Sequence, residues 1–163
     1  MLYVLVYQSP LGPLTLTSDG ETLTGLDFGL SPESTGEACP ALDQTIRWLD
    51  VYFGGSAPAF TPPLRLSGTP FRTAVWNMLL DIPFGETVTY GELAARLARD
   101  LGVPKMSAQA VGGAVGHNPV SLIIPCHRVI GANSALIGYG GGLDRKAALL
   151  ALEHADLSGN FVP

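Results

Sequence analysis

A chain of 163 residues, 47% of them hydrophobic, is long enough for one domain or two small ones and apolar enough for a proper core. Its formal net charge of -5 excludes a surface that is basic throughout, and no apolar run approaches the length of a membrane span. Met1 to Val6 lacks a basic start and is ended by Tyr7-Gln8-Ser9-Pro10, so no signal peptide is expected and the protein is expected to be soluble and cytoplasmic.

Charge is unevenly distributed. Before Phe71, Arg47 and Arg65 face the acids Asp19, Glu21, Asp27, Glu33, Glu37, Asp43 and Asp50, so this part is about five charges negative. From Phe71 to Glu153 the balance is about one charge positive, which places any nucleic-acid face locally in the second part and makes its binding modest and salt-sensitive. Cys39 and Cys126 stand in unlike contexts and offer neither a disulfide framework nor zinc spacing.

In chain order, Leu2 to Tyr7, Leu14 to Thr17 and Leu23 to Phe28 read as three antiparallel strands, with Asp19-Gly20 turning the second hairpin. Leu42, Ile46, Leu49 and Phe53, with Trp48 and Tyr52 alongside, recur at helical spacing and predict one helix on the sheet. Gly54 to Pro70 is rich in proline and glycine and reads as an extended linker between subdomains. Thr69-Pro70 then caps a helix with Phe71, Val75, Met78 and Leu79 as its apolar stripe, ended by Asp81 to Gly85. Thr89-Tyr90-Gly91-Glu92 is a capping box opening a helix that buries Leu93, Leu97 and Leu101.

Ser107 caps a further helix, Ala108 to Val115, on which only Gln109 is longer than valine. Small residues serve close helix packing, and they also leave a smooth surface that enters a DNA groove without clashing. Together with the preceding helix the pattern is that of a helix-turn-helix, although packing is the better account of this segment taken alone. Beyond it, Gly131 to Ser134 is a turn, Gly138 to Gly142 a flexible loop, and Leu143 to Glu153 a final helix. Glu153 lies against the macrodipole preference, which points either to a specific partner or to an ordinary solvated helix end.

The stretch of most chemical interest is Ile123-Ile124-Pro125-Cys126-His127-Arg128-Val129. Val120, Leu122, Ile123 and Ile124 predict a buried strand, and Pro125 marks where it leaves its sheet. A lone cysteine there is commonly core. The adjoining histidine and arginine need partners or a purpose in such a setting, and a base or positive charge turns a thiol into a nucleophile. This favours a reactive Cys126, without deciding it on four residues.

Over Phe71 to Glu153 the chain resembles the 6-O-alkylguanine-DNA alkyltransferases, also called methylated-DNA protein-cysteine methyltransferases. The resemblance runs collinearly through Thr69-Pro70-Phe71, Val75-Trp76, Ile82-Pro83-Phe84-Gly85-Glu86-Thr87, Tyr90, Ala110 to Ala114, Asn118-Pro119, Ile124 to Ile130, Gly141-Gly142-Leu143, Lys146, Leu149-Leu150 and Glu153. It implies an α+β fold: a ribonuclease H-like N-terminal sheet with a helix over residues 1–68, including the linker 54–68, then a helical helix-turn-helix, winged-helix-like domain over 69–157. Residues 158–163 are expected to be an unstructured tail.

The family resemblance further implies irreversible, single-turnover transfer of an alkyl group from guanine O6 in double-stranded DNA to Cys126, with no cofactor and no metal, by a monomeric protein. Glu153, His127 and a water would activate Cys126, because alternation in an extended chain keeps His127 from the sulfur itself. Tyr90 would act on the everted base and Asn118 would brace the turn before the active-site strand. Gln109, Ala110, Gly112, Gly113, Arg128, Tyr139 and Gly140 would contact the substrate or the minor groove. A non-catalytic relative that binds alkylguanine and recruits other repair factors is the alternative, whereas a thiol hydrolase lacks an oxyanion-hole motif.

One position departs from the family pattern: Gln109 stands where an arginine usually replaces the flipped base. Glutamine is shorter, uncharged and offers no guanidinium plane for stacking. The Gln109→Arg variant is therefore expected to capture 6-O-methylguanine in duplex DNA about tenfold faster or tighter, about 1.4 kcal/mol. Unchanged rate and affinity in a capture assay would refute this.

Overall fold

A computed structural model describes residues 2–157. The chain folds as two compact units, one built from residues up to Ser67 together with Pro119–Ile123, the other from Gly68–Asn118 and the chain from Ile124 onward. The tail expected at 158–163 lies outside the described residues.

The first unit is an antiparallel sheet of β1 (Tyr3–Ser9), β2 (Gly12–Ser18) and β3 (Leu23–Phe28), with β2 in the centre. Leu14 and Leu16 alternate onto the buried face of β2, and Leu23 and Leu26 join them from β3. Each such leucine contributes about 1.5–3 kcal/mol by leaving water. Of Asp19 and Gly20, only Gly20 takes a positive φ, 107°. Asp19 instead uses its carboxylate, accepting from the Thr22 amide and hydroxyl and the Glu21 amide.

α1 (Pro40–Phe53) covers the sheet through Ala41, Leu42, Thr45, Trp48, Leu49 and Tyr52. Trp48 and Tyr52, one turn apart, stack at 5.2 Å, so they form the centre of the buried stripe and Ile46 and Phe53 its margins. The Pro/Gly-rich segment after α1 is pinned to the edge of β3, where the Leu23 amide donates to Pro63 and the Arg65 amide to Leu23 in a parallel bridge.

The run before Cys126 is not a strand. Val120 makes one bridge to Leu26, and Ser121 to Ile123 then form a turn in which Leu122 takes a left-handed φ of 71°. A non-glycine residue in that region costs of the order of 1–3 kcal/mol, sustained here because Leu122 is completely buried. The apolar residues Val120, Leu122, Ile123 and Ile124 record burial but not backbone direction, and this turn is buried like a core strand.

In the second unit, α2 (Pro70–Leu79) starts at Thr69, whose hydroxyl accepts from the Arg72 amide. β4 (Val88–Thr89) runs parallel to β5 (Val129–Ile130), and α3 (Tyr90–Leu101) follows β4 through a complete capping box of Thr89 and Glu92. α3 buries Leu93, Ala94, Leu97 and Ala98, while Leu101, expected inside, is half exposed because the helix ends there at Gly102. α4 (Ala108–Gly116) packs on both α2 and α3 through Val111, Ala114 and Val115. α5 (Leu143–Leu152) lies against the turn that begins at Cys126. No helix among the described residues is long and apolar enough to cross a membrane.

Trp76 joins α2 to α4: it is 2% exposed and its Nε1 donates to the Ala114 carbonyl at 2.9 Å. A Cβ on Gly68 would lie 2.6 Å from the Trp76 ring, which the bond to Ala114 keeps from moving aside. Gly68→Ala is accordingly expected to cost about 1–3 kcal/mol, seen by calorimetry as a Tm lowered by about 2–4 °C per kcal/mol.

Candidate active site

Cys126, His127 and Arg128 form a single 3-10 turn rather than extended chain. Alternation of side chains therefore does not separate Cys126 from His127; the turn does, by spreading successive side chains about 120° apart around its axis. Pro125 precedes the turn, the Cys126 amide donates to Ile124 at 2.8 Å, and the Arg128 amide to Pro125 at 3.0 Å. From the end of α4, Asn118 donates through Nδ2 to the Ile124 carbonyl at 2.8 Å and also hydrogen-bonds the Cys126 thiol. Asn118 thus braces the turn carrying the sulfur.

Behind the turn lies the carboxylate of Glu153, 3% exposed. Its Oε1 accepts from the Gly85 amide at 3.0 Å and Arg128 Nε at 2.8 Å, and its Oε2 from His127 Nε2 at 2.6 Å and Arg128 Nη2 at 3.1 Å. Burial alone would raise the Glu153 carboxyl, but hydrogen bonds from His127 and Arg128 and the charge of Arg128 outweigh it and hold the group well below the usual carboxylate range. Burial is the main reason the His127 pKa falls, with Arg128 and Lys146 adding to it against the pull of Glu153. A neutral imidazole whose Nε2–H serves Glu153 keeps its basic lone pair at Nδ1.

Cys126 is 7% exposed. Burial pushes its thiol up, while the Asn118 side chain, the Lys146 charge and the backbone amides of Cys126 and His127 pull against burial. The sulfur rests as a thiol, and a thiol in this setting becomes a nucleophile only with a base at hand.

Arg128 was expected to contact DNA, and the structure corrects this. Its guanidinium holds Glu153, donates through Nη1 to the Ile82 carbonyl at 2.7 Å and lies over the Phe84 ring at 5.9 Å. An arginine 7% exposed turns its fork to a buried carboxylate rather than outward to a phosphate. Ile82, Phe84 and Gly85 are the corresponding omission from the sequence reading, which recorded them as a motif without a role.

Of the remaining expected residues, Tyr90, Gln109 and Gly112 meet at an open depression of about 400 Å³ that Ala108, Ile137 and Gly138 also line. The Tyr90 hydroxyl donates to the Ile137 carbonyl at 3.2 Å, and its phenol is raised by burial and then by the charge of Cys126. Gln109, Ala110 and Gly113 are exposed on α4, and Gly112 faces the Tyr90 ring. Tyr139 is half-buried and Gly140 exposed in the loop before α5. Among the described residues no cluster of three His, Cys, Asp or Glu could hold a metal ion.

Two family models cover nearly the whole described chain: the ribonuclease-like domain of 6-O-methylguanine DNA methyltransferase over residues 2–66 and its DNA binding domain over 70–155. The chain belongs to the 6-O-methylguanine DNA methyltransferase family. Within that family it is 46% identical to a methylated-DNA–protein-cysteine methyltransferase of Mycobacterium tuberculosis, over 94% of this chain and 93% of the relative. It is 43% identical to the protein of that name from Methanosarcina acetivorans, over 93% and 98%. The crystal structure of the M. tuberculosis family member in complex with DNA superposes with a TM-score of 0.80 at 45% identity, covering 93% of this chain and 92% of that one.

The Glu153 network contributes to the acid stability of this family member. On unfolding, His127 regains its ordinary pKa of 6.5 and Glu153 its ordinary 4.5, both above their folded values. The unfolded chain then binds more protons, so the contribution of this pair should be full above pH 6.5 and fall progressively below it, more steeply under 4.5. Glu153→Gln should cost about 3–5 kcal/mol at neutral pH by stranding Arg128, and should flatten the acid limb in denaturant titrations.

Proposed function

We propose that this protein repairs DNA by transferring the alkyl group of 6-O-alkylguanine, methyl foremost, irreversibly to its own Cys126, one group per chain. The carrying observation is the 2.6 Å bond between His127 and a buried Glu153 directly behind a nearly enclosed thiol. Thiolate is a soft nucleophile suited to displacing carbon from oxygen. His127 Nδ1, through a water, takes the thiol proton, and Glu153 stabilises the imidazolium that forms. A sulfur–carbon bond forms as the carbon–O6 bond breaks, its electron pair leaving with guanine. Tyr90 hydrogen-bonds the guanine ring and assists its departure as the neutral base, the proton it needs balancing the one taken from sulfur. The thioether product is stable, so the chain is consumed.

The sulfur is too enclosed for a base still stacked in duplex, so the lesion is everted into the site. The face of α4 carrying Gln109, Ala110 and Gly113 is exposed and free of bulky side chains, which suits a minor groove of any sequence. Gly140 in the glycine loop borders the everted guanine, with Tyr139 beside it. The protein acts as a monomer in the cytoplasm, where a reducing medium keeps Cys126 a free thiol. With thiol, imidazole and carboxylate all in place, the non-catalytic reading has no support.

Incubation with an oligonucleotide carrying 6-O-methylguanine should leave one methyl on the Cys126 peptide by mass spectrometry, and none in Cys126→Ser. His127→Gln should slow the transfer by about 10²–10⁴-fold. A bound but unmethylated protein would reject the transfer.

A further inference from the structure

Lys146 is completely buried, and the chemistry above makes no use of it. Its Nζ donates to three backbone carbonyls, Val129 at 2.6 Å, Ile137 at 3.0 Å and Gly138 at 3.3 Å, which occupies every proton of the ammonium. Val129 opens β5 directly after the Cys126 turn, whereas Ile137 and Gly138 belong to the loop lining the depression. The Ile137 carbonyl is also the acceptor for Tyr90, whose ring centre lies 5.8 Å from the ammonium. Gly138 takes a φ of 64°, and a Cβ there would stand 3.5 Å from the Tyr90 hydroxyl. One cation thus joins the strand leaving the sulfur, the loop and the tyrosine.

We propose that Lys146 is a positioning residue for alkyl transfer: its ammonium fixes Tyr90 and the 137–138 loop against β5, and its charge favours the thiolate at Cys126. The proposal rests on the alkyl-transfer reading. Buried ions are costly unless compensated. Arg128 and Lys146 bring two buried cations to this region against the single carboxylate of Glu153, so a thiolate completes the balance. Burial lowers Lys146 to about 8 and the Cys126 charge acts in the opposite direction. The titratable groups in charge range of Lys146 are Cys126 and His127 on the turn, with Tyr90 from α3 against it.

The test follows alkylation of Cys126 by iodoacetamide without DNA, by peptide mass spectrometry from about pH 6 to 10, beside methyl transfer from a 6-O-methylguanine duplex. Lys146→Gln keeps two N–H donors for the three carbonyls and loses the charge. It should raise the thiol midpoint by about one unit, leave about a tenth of the thiolate at neutral pH and slow transfer about tenfold. Lys146→Arg should restore the midpoint. Because the coupling is reciprocal, Cys126→Ser tests it without altering Lys146: the lysine should titrate at lower pH in that variant than in the unsubstituted protein by side-chain NMR. An unchanged thiol midpoint in Lys146→Gln, or equal lysine titrations in Cys126→Ser and the unsubstituted protein, overturns the proposal. An unsubstituted protein that takes up no methyl overturns the alkyl-transfer reading instead, since both titrations proceed without DNA.

Discussion

The second unit depends on one buried carboxylate. Glu153 sits where a helix C-terminus disfavours negative charge, and it is held by the Gly85 amide, the His127 imidazole and the Arg128 guanidinium. These bonds join the segment after α2, the Cys126 turn and the end of α5 at a single group. Removing a partner leaves an ion uncompensated away from water. The same carboxylate therefore supports the fold and fixes which imidazole nitrogen is basic.

Around the sulfur, opposing effects are closely matched. Burial disfavours the thiolate, while Asn118, two backbone amides and the Lys146 charge favour it. Burial comes out ahead, so the group stays a thiol in the folded chain. A more exposed sulfur would ionise more readily, but it would also meet solvent and other electrophiles.

The small residues of α4 serve close packing on one side and leave a smooth exposed surface on the other. Val111, Ala114 and Val115 face α2 and α3, and Trp76 reaches the Ala114 carbonyl because no long side chain intervenes. The other side, with Gln109, Ala110 and Gly113, remains exposed. Gln109 is the single extended side chain of the helix and lines the same depression as Tyr90.

The sequence by itself determined the strands of the first unit, the Thr69, Thr89 and Ser107 caps and the helices. These follow from side-chain periodicity and from capping bonds that reach three residues or fewer. Tertiary structure alone decided that the run before Cys126 is a turn, that Arg128 faces inward and that Lys146 ties a loop to β5. Glu153 meets His127 across 26 positions and Gly85 across 68, and Arg128 meets Ile82 across 46. Local pattern shows that a charged residue needs a partner; only the folded chain selects which distant group supplies it, because burial and hydrogen bonding act through space and not along the sequence.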